Sequence, residues 1–116
     1  MIKGYKKGYK IIEFEPISTF SERMKQFNEN TIECTEHTLF RLSEKQREIF
    51  KCEKLKEFLL NSTPLKVGIQ KNENYAIYYE YKDKRTIKII ISFKPNKIRV
   101  ITFYILDIRQ IPGRLI

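Results

Sequence analysis

Residues 75–106 read YAIYYEYKDKRTIKIIISFKPNKIRVITFYIL, and this stretch decides the fold. From Tyr75 the chain alternates, with Tyr75, Ile77, Tyr79 and Tyr81 on one face and Ala76, Tyr78, Glu80 and Lys82 on the other. A period of two is the mark of a strand, because successive side chains leave a pleated backbone on opposite sides. Asp83-Lys84-Arg85 turns the chain, and Ile87, Ile89, Ile91 and Phe93 then share a face opposite Lys88, Ile90 and Ser92. Lys94-Pro95-Asn96-Lys97 is the clearest turn, since Pro presets the backbone for position i+1 and Asn tolerates i+2. Ile98 to Leu106 forms the last strong strand, and Val67 to Gln70 adds a further one before Tyr75. Strands joined this closely form an antiparallel meander.

Upstream the spacing changes. Phe20, Met24 and Phe27 lie four and three apart, which places them on one face of a short helix, with the hydroxyls of Ser18-Thr19-Phe20-Ser21 as its capping signal. Thr35 to Leu42 predicts a second helix. Ser43-Glu44-Lys45-Gln46 has the capping-box pattern, and it opens a third helix on which Ile49, Cys52, Leu55 and Leu59 recur at helical spacing. That helix ends near Asn61-Ser62-Thr63-Pro64, because Pro forces the residue before it into extended geometry. The fold class predicted is therefore α+β, with N-terminal helices packed on a three- to four-stranded antiparallel sheet. Residues 1–17, with Tyr5-Lys6-Lys7-Gly8-Tyr9-Lys10 and an extended Tyr9 to Phe14, read either as a basic arm or as an edge strand.

The chain has 116 residues, enough for one domain, and its 41% hydrophobic and 13% aromatic share fills one core. A formal net charge of +9 attracts polyanions, and RNA is the partner expected first; an acidic protein satisfies the same field. Cys34 and Cys52 are not in a Cys-x-x-Cys pair, and with His37 the one histidine there is no tetrahedral metal set and no cofactor pattern. Both thiols are expected to be free and buried, in a cytoplasmic protein. No signal-peptide pattern and no apolar run of membrane-spanning length occurs.

His37 and Arg41 stand one helical turn apart, so they project from one face. An imidazole titrates near neutrality and a guanidinium can hold a phosphate with two hydrogen bonds. The pair could therefore move a proton and neutralise charge in phosphodiester cleavage, although a packing role for His37 is the commoner use of such spacing. Lys88 and Arg99 are charges on strands otherwise rich in Ile, and each either points to solvent or lines a groove. Tyr104, on a face with Val100 and Thr102, offers a hydroxyl to a phosphate. The tyrosines Tyr75, Tyr78, Tyr79 and Tyr81 offer rings to bases, though strand tyrosines pack in cores more often. Lys45 and Arg47 add basic groups for RNA on the third helix.

The order Glu36-His37-Thr38-Leu39-Phe40-Arg41-Leu42, a helix over 44–60, Asn61-Ser62-Thr63-Pro64 and then three strands resembles the RelE/ParE-like toxin superfamily, its BrnT-like branch in particular. The likeness covers roughly residues 31–106. It implies a single RelE-like domain and a metal-independent endoribonuclease, the toxin of a toxin–antitoxin system, held in check by an acidic antitoxin and acting on RNA, ribosome-bound mRNA included. By position His37 and Arg41 match the helix motif, and Arg99 and Tyr104 fall on the late strand that carries basic and aromatic groups in such proteins. The other reading of the same basic surface is a nucleic-acid-binding protein or regulator without catalysis.

Overall fold

A computed structural model describes residues 10–34 and 52–107. The chain runs β1 (Ile11–Glu15), α1 (Ile17–Met24), a 3₁₀ turn (Glu29–Thr31), β2 (Ile32–Cys34), α2 (Cys52–Asn61), β3 (Lys66–Gln70), β4 (Tyr75–Tyr81), β5 (Arg85–Lys94) and β6 (Lys97–Asp107). The strands make one six-stranded sheet in the order β1-β3-β4-β5-β6-β2. All neighbours are antiparallel except β2, which runs parallel to β6.

This corrects the predicted architecture of helices on a three- to four-stranded antiparallel sheet. The meander from β3 to β6 is the one expected, but two short upstream segments extend it at both edges. β1 pairs with β3, so Ile11–Glu15 form an edge strand, while the basic stretch from Tyr5 to Tyr9 lies outside the described residues. β2 has only three residues, too few for a period of two to be read. Its partner lies more than sixty residues ahead, and the parallel pairing makes the sheet mixed. Five strand spacings separate β1 from β2, roughly 24 Å. The chain covers this gap by laying α1, about 12 Å long, and the turns after it across one face.

Helix α1 starts at Pro16, whose carbonyl accepts from the N–H groups of Thr19 and Phe20. No side chain caps it, so the Ser18 and Thr19 hydroxyls do not play the capping role their position suggested. Its buried residues are Phe20 and Met24, as the spacing required, and Phe27 follows to pack 5.8 Å from the Phe93 ring. The 3₁₀ turn is closed reciprocally: Asn30 N–H donates to Asn28 Oδ1 at 2.8 Å, and Asn28 N–H donates to Thr31 Oγ1 at 2.9 Å. α2 buries Leu55 and Leu59 and ends at Asn61, ahead of Pro64. The expected helix over 35–42 and the start of the third helix lie outside the described residues.

Both helices cover the same face. Beneath them Val67, Ile77, Tyr79, Ile87, Ile89, Ile91, Ile98, Val100 and Phe103 form the core with Phe20, Met24, Ile32, Leu55 and Leu59. Burying each such side chain is worth about 1.5–3 kcal/mol, so this layer dominates stability. Tyr79 is buried there with no hydrogen-bond partner for its hydroxyl, and burial pushes its pKa up. A disulfide joins Cys34 at the end of β2 to Cys52 at the start of α2, with Cα atoms 5.9 Å apart. The expectation of two free thiols is thereby corrected: edge strand and helix start meet, and that proximity is invisible in a separation of 18 residues. Among the described residues no helix is long and apolar enough to cross a membrane.

Candidate nucleic-acid interface

The sheet face turned away from the helices has its own small cluster, Ala76, Tyr78 and Ile90, edged by Ile11, Leu65, Ile101 and Leu106. Registers on this face set two rows across the strands. In the first, Phe14, Gly68, Ala76, Ile90 and Thr102 are successive partners from β1 to β6. In the second, Lys66 of β3 faces Tyr78 of β4, Tyr78 faces Lys88 of β5, and Lys88 faces Tyr104 of β6.

The two rows differ in height because of their residue types. Gly68 and Ala76, the one alanine in the chain, leave a low floor. Ile11 of the edge strand folds over it so closely that a Cβ on Gly68 would lie 2.9 Å from Ile11 Cδ1. The second row stands above this floor and alternates cation with ring. Lys88 Nζ lies 5.7 Å from the centroid of Tyr78 and 5.8 Å from that of Tyr104. Lys66 Nζ reaches sideways to within 4.3 Å of the Phe14 ring. These are cation–π distances, the arrangement in which the negative face of a ring steadies an ammonium.

Burial divides the roles within the row. Tyr78 is fully buried and its hydroxyl has no partner; desolvation raises its pKa to about 12. It is a support for Lys88 rather than a surface for a ligand. Lys88 is half-buried, and the same desolvation lowers its pKa. No described carboxylate lies within ion-pair distance of it. Tyr104 is 45% exposed, and among the described residues Phe14 (41%) and Ile12 (58%) are the other large apolar side chains open to solvent. An accessible ring therefore stands at each end of the face, roughly 20 Å apart across four strand spacings.

Arg99 is placed differently. Its Nε donates to Glu33 Oε2 at 3.1 Å, and Lys97 Nζ holds the other oxygen of that carboxylate at 2.8 Å. Hydrogen bonds from Lys97 first and Arg99 second keep the Glu33 carboxyl below the usual carboxylate range. Arg99 and Tyr104 are five residues apart on β6, about 16 Å along a strand. The structure thus does not bring them to one phosphate. His37, Arg41, Lys45 and Arg47 lie outside the described residues. Among the described residues no three His, Cys, Asp or Glu side chains gather as a metal site would require.

Sequence reasoning also placed Tyr104 on a face with Val100, and there it is corrected. The β5–β6 register shifts between Ile90 and Ile91, where Ile90 pairs with Thr102 but Ile91 with Val100. Ile101 is the extra residue of this bulge. Val100 therefore faces the helices, while Thr102 and Tyr104 face outward. Lys88 is half-buried between Tyr78 and Tyr104; the cross-strand registers that reveal these neighbours are not readable from one strand at a time. Tyr75, Tyr79 and Tyr81 pack on the helix side and are not on this face.

Among the described residues, helices lie on one side of a mixed sheet and a lysine–tyrosine row on the other. The chain belongs to the MJ0788 family, whose model matches residues 18–91. That match does not connect it with the RelE/ParE-like toxins, and no curated protein and no solved structure matches it.

Proposed function

We propose that this domain binds single-stranded RNA along the lysine–tyrosine row of its sheet, at the solvent-accessible side chains Tyr104 and Lys88, and does so without cleaving it. The observation that carries the reading is the row Lys66–Tyr78–Lys88–Tyr104, with Lys88 held between two rings and lacking a described carboxylate partner. A partly desolvated ammonium is short of counter-charge, and a phosphate supplies it. An exposed ring beside it, here Tyr104, gives a base a stacking platform worth about 1–3 kcal/mol. Aromatic platforms along a basic groove are how single strands are held without reading sequence. A net charge of +9 favours capture of the polymer before any specific contact forms.

The non-catalytic form of the reading is preferred because Arg99 is engaged by Glu33 and distant from Tyr104 along β6. The test is fluorescence anisotropy of a labelled mixed-sequence RNA across a salt series, beside a denaturing gel of the same mixture in EDTA. Salt-sensitive binding with intact RNA is expected. Cleavage in EDTA that disappears in His37→Ala would overturn it in favour of the toxin-type ribonuclease. Neither binding nor cleavage would leave an acidic protein, such as an antitoxin, as the partner to seek.

A further inference from the structure

On the helix side of the sheet, at the end away from the β4–β5 turn, Arg23 closes α1 and lies over the end of β5. Its guanidinium carbon is 3.8 Å from the centroid of Phe93 and 5.5 Å from that of Tyr75. Nη1 donates to the Tyr75 hydroxyl at 3.1 Å, and that hydroxyl donates onward to Glu15 Oε1 at 3.3 Å. The guanidinium is therefore fixed in plane and orientation by one hydroxyl and one ring. No described carboxylate lies within ion-pair distance of it. A guanidinium has five N–H donors, and the hydrogen bond to Tyr75 uses one of them.

Beside it opens a concavity of about 560 Å³, lined by Arg23, Asn72, Asn74, Tyr75, Ser92 and Lys94 among others. Its size is within the range of small-molecule sites, about 300–1,000 Å³. Its lining brings the Arg23 guanidinium together with the polar residues Asn72, Asn74, Ser92 and Lys94, residue types of the kind an oxyanion needs. Asn72 Oδ1 is already occupied by the N–H of Asn74 at 3.0 Å, which turns the Asn72 carbonyl inward to its own turn. Glu73, at the tip of that turn with φ 72°, is the one acidic side chain in the lining. Against Arg23 and Lys94 it leaves a net positive wall.

We infer that this concavity is a second anion site, which takes the phosphate of a phosphomonoester with Arg23 as its bidentate clamp and Lys94 as a point charge. An arginine stacked on a ring and lacking a carboxylate is pre-organised for two parallel hydrogen bonds to phosphate oxygens. The site is built from α1, the β3–β4 turn and the end of β5, and it does not share a residue with the lysine–tyrosine row. The same chemistry occurs in a free nucleotide and at the 5′ end of an RNA strand.

The test uses ¹⁵N-labelled full-length protein titrated with inorganic phosphate at constant ionic strength, with chloride as the reference. Saturable shifts of the Asn74, Ser92 and Lys94 amides and of the Arg23 side-chain N–H groups are expected. Arg23→Lys keeps the charge and loses the fork, so it weakens phosphate binding about tenfold or more. Lys94→Met weakens it too, and it removes an exposed side chain that the fold does not need. Lys84→Met, in the exposed turn before β5, leaves binding unchanged. Shifts spread evenly over surface lysines, or equal affinity in Arg23→Lys and the wild type, would overturn the inference. Titration with a nucleoside 5′-monophosphate, and with 5′-phosphoryl and 5′-hydroxyl forms of one oligonucleotide, then separates the two sources. A preference for the free nucleotide marks a small-molecule site, and one for the 5′-phosphoryl strand marks an end-binding site.

Discussion

Replacing Lys88 by Met separates binding from packing. The two side chains are similar in length, so methionine can fill the space between Tyr78 and Tyr104 while the charge disappears. Lys88 is half-buried, desolvation lowers its pKa, and no described carboxylate pairs with it. Its charge therefore adds little to the folded state beyond two ring contacts at 5.7 and 5.8 Å. The unfolding midpoint of Lys88→Met is expected to stay level or rise. Binding responds in the opposite direction. One phosphate contact to a single strand contributes a salt slope of about 0.7, so removing it should flatten the log–log plot by about that amount. At about 0.1 M salt the same 0.7 logarithmic units correspond to roughly fivefold weaker affinity. Anisotropy titrations of one RNA at several salt concentrations read both quantities together. An unchanged slope and affinity would mean that no phosphate reaches Lys88, and the proposed face would be wrong. A fall in midpoint comparable to the loss in binding would instead assign Lys88 to packing.

The disulfide between Cys34 and Cys52 spans 18 residues of sequence, and a loop of that size contributes about 3 kcal/mol in the chain-entropy model. Guanidinium midpoints with and without reductant, and for Cys34→Ser, should fall accordingly; two titratable thiols in the unreduced, denatured protein would refute the link. Leu55, fully buried on α2, should cost about 2–5 kcal/mol on substitution by Ala, read as a lower midpoint with little change in RNA affinity. Glu33 gives the pH dependence. Its folded pKa lies below the ordinary 4.5, so its contribution is fully present above about pH 4.5 and is lost as pH falls through the lowered value. Glu33→Gln should therefore show a shallower loss of midpoint in acid than the wild type, and an identical acid limb would contradict the Lys97–Glu33–Arg99 arrangement.

The strands from Tyr75 onward were legible because alternation is local: β4 and β5 each state their two faces, and Pro95-Asn96 states where the chain returns. Phe20, Met24, Leu55 and Leu59 were legible for the same reason at helical period. What could not be read was everything set by distant partners. Three residues of β2 carry no period, and their place beside β6 depends on the chain crossing the whole sheet. The disulfide follows from that same crossing. The resemblance to small toxins relied on element order over residues 31–106 and on the His37/Arg41 motif, which lies outside the described residues, and order does not separate an antiparallel sheet from one with a parallel edge.

The candidate face turns on one further residue. Along β6 the core side chains Ile98, Val100, Phe103 and Ile105 are spaced two, three and two apart. A regular strand cannot bury all of these, since a spacing of three sends the later pair to the opposite side. Inserting Ile101 as a bulge resolves the conflict, because the extra residue resets which side each later side chain takes. The reset brings Phe103 and Ile105 under the helices and turns Tyr104 outward beside Lys88. Read without the bulge, Tyr104 belongs with Val100 and has no lysine for a neighbour. The spacing from Val100 to Phe103 was visible in the sequence, but Ile101 is as apolar as either and hid the break. Core packing and the exposed ring are thus consequences of one inserted residue, so a deletion of Ile101 should damage the helix-side core and the lysine–tyrosine row together.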